Sequence, residues 1–136
     1  MAQAAVEACG RDYTRYRIQT SQGEMFSNLP KRRFIYQIVK EALRLGIKPE
    51  SILEAVPWRR SNMFIIAAGK LSGEQIMSSA PNKSARRYFC NDTELFYVDG
   101  NTYAMTNQWG TRTEEAVENI LLLLPNNHGV HYETMV

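Results

Sequence analysis

Cysteine is scarce in this chain. Cys9 and Cys90 are its two thiols, too few for a disulfide framework or a zinc set, and reduced cytosolic thiols are the simplest reading. Neither has a histidine beside it in sequence, which makes both weak nucleophile candidates. Long hydrophobic runs are missing as well: none approaches the ~20 residues that cross a bilayer. Met1 to Gly10 lacks a basic segment followed by an apolar one. The expectation is a cytoplasmic protein without a membrane partner. A glycine-rich phosphate loop, a His-Glu-x-x-His helix and a Gly-x-Ser-x-Gly elbow are all absent. The acids are scattered, with no convergent set to hold the divalent cation a nuclease needs. His131 and Glu133 would share one face of a strand near His128, but chain ends collect such residues freely. No metal, no cofactor and no catalytic residue is expected, so the chain reads as a binding module and not an enzyme.

What is present suits one compact unit. A chain of 136 residues with 44% hydrophobic residues can bury roughly two-thirds of its unfolded surface. Residues 1–12 read as a flexible tail and 13–136 as a single α+β domain. The formal net charge of +2 hides a division. Residues 1–87 hold 15 of the 16 Lys and Arg against seven acids, a balance of +8. Residues 88–136 hold only Arg112 against seven acids, a balance of −6. Such asymmetry gives a basic face for polyanions, unless the two parts attract each other and the dipole stays internal.

Along the chain, Tyr13 to Thr20 alternates moderately and reads as an edge strand, with Ser21-Gln22-Gly23 as a turn. A helix is predicted from about Pro30 to Leu45, its stripe formed by Phe34, Ile35, Ile38, Val39, Ala42 and Leu43. Pro30 marks its start and Gly46 its left-handed end. A second helix starts at Pro49, with Ile52, Leu53 and Val56 on its apolar side, and stops at Pro57. Two helices around Gly46-Ile47-Lys48 make a helix–turn–helix-like arrangement, for which an ordinary αα-corner is the commoner reading. Met63 to Ala68 is too short for periodicity to decide, and its two alanines and a Ser61 or Asn62 cap favour a helix. Gly73 to Ser79 reads as another helical turn and Pro81 to Ser84 as a loop.

The second part of the chain carries clearer signals. Arg87 to Cys90 reads as a strand. Glu94 to Thr106 reads as a hairpin, with two aromatic and β-branched runs flanking Asp99-Gly100, the pair that favours a type I′ turn. A polar tetrad, Asn107-Gln108-Trp109-Gly110, follows at once. Thr111-Arg112-Thr113-Glu114 matches a capping box. Ala116, Val117, Ile120, Leu121 and Leu124 form the next helix's apolar face before Pro125, and Val130 to Thr134 reads as a last strand. Helices first, then strands with one packed helix, predict an α+β fold: an N-terminal helical part on a small antiparallel sheet with a C-terminal helix.

Three basic clusters are the candidate site: Lys31-Arg32-Arg33, Arg59-Arg60, and Lys83 with Arg86-Arg87. Guanidinium forks match phosphate geometry, and Trp58 and Tyr88 beside two clusters can stack on bases or sugars. For each cluster alone, a solvated surface with Trp58 in the core is the simpler reading; three in one part of the chain strengthen the joint one. Amide side chains can read adenine edges. Within the tetrad, Gln108 is the expected contact, while Asn107 and Trp109 suit structural duties where strand turns to helix.

The segments RRFIYQIVKEALRLGIKPESILEAVP and RYFCNDTELFYVDGNTYAMTNQWG, followed by a helix and HYE, resemble a poorly characterised bacterial module. That module occurs as an appendage of restriction-endonuclease-like and other defence-associated proteins, and alone. The similarity spans about Phe34 to Glu133 and is most specific at Tyr103 to Gly110. The chain departs from the pattern in the loop before Arg87 and in the run Leu121 to Leu124. The family has no agreed catalytic residues to carry over. The resemblance implies a nucleic-acid-associated or partner-docking module. Two functions follow: a nucleic-acid-binding accessory domain, or a protein–protein adaptor using the hairpin and the Trp109 region.

Overall fold

A computed structural model describes residues 13–135; the expected tail, 1–12, lies outside the described residues. The chain builds two antiparallel sheets that share helices, an α+β arrangement. In β1 (Arg15–Gln19) Tyr16 and Ile18 are buried and their neighbours are not, the period of a half-buried strand. β1 is a central strand, not the expected edge. It pairs with β2 (Met25–Leu29) on one side and β7 (His131–Met135) on the other. The sequence hid β2 because Asn28 takes a positive φ and the β1–β2 register shifts, which breaks the alternation. The expected turn at Ser21–Gly23 is present.

α1 (Lys31–Arg44) buries Phe34, Ile35, Tyr36, Ile38, Val39 and Ala42, with Pro30 extended before it and Gly46 left-handed after it. The helix also buries Glu41, which accepts from Arg44 at 2.6 Å and from the Ser21 main chain. That charged pair fastens the β1–β2 turn to the helix. α2 (Pro49–Ala55) begins at its proline as expected. Its exposed charges are Glu50 and Glu54, and its last carbonyl accepts from Asn119 at 3.0 Å. Acids on that surface do not suit a helix laid along phosphates.

β6 (Asn101–Thr106) is the centre of the second sheet, with β3 (Phe64–Ala68) on one edge and β4 (Tyr88–Phe89) and β5 (Phe96–Val98) on the other. The helix expected at Met63 to Ala68 is therefore a strand. Phe64 enters one core and Ile65 the other, so the start of the strand is buried on both faces and its apolar run carries no alternation. The hairpin is as expected: Asp99 and Gly100 have φ of 51° and 82°, the positive pair of a type I′ turn. Lys48 anchors it through Asp99 at 2.9 Å.

α1 covers one face of this sheet, where Tyr36 meets Phe89 and Phe96 at ring distances of 4.9 and 5.2 Å. α3 (Gly73–Ser78) covers the other, with Ile76 against Ile65, Tyr88, Leu95 and Ala104. α4 (Thr113–Leu121) packs beside α1 and α2. The expected capping box at its start does not form. Arg112 holds the cap position, buried Thr113 donates to the Gly110 carbonyl at 2.7 Å, and the Glu114 carboxylate accepts from the Tyr16 hydroxyl. Strands thus precede and alternate with the helices, a different order from helices first. No helix among the described residues is long and apolar enough to cross a membrane.

Candidate nucleic-acid interface

One end of the second sheet gathers residues far apart in sequence. Where β6 ends, the Asn107 main chain donates to the Arg87 carbonyl at 2.8 Å and its side-chain amide donates to the Arg86 carbonyl at 2.9 Å. These bonds hold the turn Ala85–Arg87 against the strand end. Trp109 folds back so that its indole N–H donates to the Thr106 carbonyl at 2.9 Å. Gln108, between them, stays exposed. From the turn Pro57–Arg59, the Arg59 guanidinium donates to the Gln108 carbonyl and lies 5.0 Å from the Trp109 ring centroid.

These ties shape a groove of about 350 Å³. Arg59, Lys83 and Arg87 bring its cations; Asn62, Asn82 and Gln108 bring amides; Ser84, Thr106 and Tyr88 bring hydroxyls. No carboxylate and no imidazole lines it. Among the described residues none of the three cations is paired with a carboxylate. Partial burial lowers the Arg59 guanidinium from its ordinary value, a sign of a cation held out of water without a counter-charge. Such a site supplies forks and hydrogen-bond donors to an anion and has nothing to repel it.

Four of the nine expected contact residues, Arg59, Lys83, Arg87 and Gln108, line the groove. Arg60 and Arg86 are exposed next to it in sequence but outside its lining. The Lys31–Arg33 cluster is not part of it. Arg33, though exposed, is engaged by the fold: it pairs with Glu94 at 2.6 Å and lies 4.6 Å from the Phe89 ring. Arg17–Glu133 and Lys48–Asp99 likewise join the basic and acidic parts of the chain. Three of the cations of residues 1–87 are thus engaged by acids of residues 88–136, and none of the three lines the groove.

Other recesses fit an anion less well. One on the first sheet contains Arg17, already 2.6 Å from Glu133. Another carries Glu74 and Asp92 beside Cys90, whose thiol is pushed up by burial and by Glu94. Among the described residues no group of three or more His, Cys, Asp or Glu is placed to hold a metal. Sequence reading missed Asn62, Asn82 and Ser84, which join the groove only through the fold. It also missed Arg112, which lies 3.6 Å from the Trp58 ring centroid; its spacing of three to Glu115 was the available signal. No family model, curated protein or solved structure matches the chain.

Proposed function

We propose that this chain is a non-catalytic nucleic-acid-binding accessory module acting in the cytoplasm, with phosphates held in the Arg59–Lys83–Arg87 groove. One observation carries the reading: three cations without acidic partners meet amide and hydroxyl groups in a groove with no carboxylate. A link to restriction or defence rests on the resemblance of Phe34 to Glu133 alone. The adaptor reading has less support. Exposed Ile66 and Tyr97 fall in adjacent register rows, with Tyr103 and with Thr102, and so point to opposite faces instead of forming one patch.

The test is anisotropy of labelled generic duplex and single-stranded DNA across a salt series. Three phosphates neutralised on duplex give a log–log slope of about −3, so affinity falls roughly tenfold to a hundredfold from low to physiological salt. No binding at low salt, or binding indifferent to salt, overturns the reading.

A further inference from the structure

The chain has two tryptophans, and both line a single recess of about 250 Å³ that adjoins the groove through Arg59. Each indole is half-buried and carries an arginine on its face, Arg112 on Trp58 and Arg59 on Trp109. Trp109 is fixed by its indole bond to Thr106, so its ring is preorganised. Beside it Gly110 faces open space: a Cβ there meets nothing within 4 Å. Arg112 already gives two bonds to Glu115, both 2.9 Å, which satisfies its charge and leaves the guanidinium face turned away from Trp58 as a stacking surface.

We infer that the Trp58–Trp109 recess is a base-stacking slot, and hence that the ligand is a strand with unpaired bases. The inference rests on the nucleic-acid reading of the groove and names its class. A phosphate on Arg59 brings the adjoining nucleotide to the recess, because Arg59 lines both. Base faces stacked inside a duplex cannot enter such a recess, whereas an unpaired base presents a π-face to indole and guanidinium planes alike. Flat, delocalised groups of either sign of polarity are what a recess walled by two indoles and two guanidinium planes accepts.

Because all indole emission comes from Trp58 and Trp109, fluorescence reports on this recess directly. The full chain is titrated at low salt with oligothymidylate, with an abasic phosphodiester strand of equal length, and with duplex, following both emission and anisotropy. The thymidine strand is expected to bind about tenfold tighter than the abasic strand and to quench emission, the abasic strand binding without quenching. Gly110 lines the recess and a Cβ there meets nothing within 4 Å, so Gly110→Leu adds bulk at the recess without removing any core packing. It is expected to bring the thymidine strand down to abasic affinity and abolish the quenching. Equal binding of the two strands with unchanged emission overturns the slot and leaves the phosphate groove standing. Failure of every strand to bind overturns the groove reading and the slot with it.

Discussion

Arg59 and Trp109 act as one unit: the guanidinium carbon lies 5.0 Å from the indole centroid while the same side chain donates to the Gln108 carbonyl next door. The contact joins the turn after α2 to the end of β6, and so places a cation that the sequence holds 50 positions from the tryptophan. Arg59→Lys keeps the charge but not the planar fork. Affinity for a generic oligonucleotide is expected to fall about threefold to tenfold, with about 0.5–1.5 kcal/mol of stability lost with the bond to the Gln108 carbonyl. Anisotropy at fixed salt checks it, and an unchanged affinity shows that charge alone matters at this position.

Neighbouring amides have separate duties. Asn107→Ala removes the bond to the Arg86 carbonyl, and a loss of about 0.5–1.5 kcal/mol is expected because the group is only half-buried. Gln108 is exposed, so Gln108→Ala should melt like the parent within about 0.5 kcal/mol while binding more weakly. Chemical denaturation of both variants separates the two duties.

Gly73 makes the closest backbone approach of any described glycine: a Cβ there would lie 1.8 Å from the Cys90 carbonyl oxygen. Its own N–H donates to Asp92 at 2.8 Å, so backbone meets backbone and neither can yield freely. Gly73→Ala is expected to cost about 1–3 kcal/mol. Gly110→Ala, facing open space, should stay within about 0.5 kcal/mol. Equal midpoints for the two would contradict the packing of α3 on the sheet.

The Tyr36 phenol is pushed up to about 12, first by burial and then by Glu94. The folded state therefore keeps a proton that the unfolded chain releases near 10. That stabilisation is complete below pH 10 and is lost as pH rises from 10 towards 12, on the order of 2 kcal/mol. Denaturation at about pH 9 and about pH 11 should show a smaller loss in Tyr36→Phe than in the parent. The same variant gives up the bond to the Glu94 carbonyl at 3.1 Å, about 0.5–1.5 kcal/mol at neutral pH.

What the sequence could reveal depended on whether the signal was local. Asp99-Gly100 declares its turn because the required positive φ values select those residues, and α1 declares itself because Phe34 to Ala42 repeat with helical period. β3 did not, since six apolar residues carry no period and Ala67-Ala68 favour the wrong state until β6 pairs with them. Thr111 to Glu114 fitted a capping box, yet Gly110 and Tyr16 took the Thr113 and Glu114 side chains. For the candidate groove, residue type pointed to Arg59, Lys83, Arg87 and Gln108, which the fold brings together, but only tertiary contacts could set Arg33 apart by giving it Glu94 and Phe89.

The groove is tested most directly by comparing two double charge reversals. Lys83→Glu/Arg87→Glu alters two cations that line it, and Arg32→Glu/Lys40→Glu alters two exposed cations on α1 that do not. Both change net charge equally, so a non-specific electrostatic effect moves both alike. The measurement is the slope of log affinity against log salt for single-stranded DNA. The groove pair is expected to lose at least about tenfold in affinity and to flatten the slope by about 1.5, the control pair changing far less. Equal losses in the two variants, or an unchanged slope for Lys83→Glu/Arg87→Glu, would contradict the assignment of phosphates to this groove.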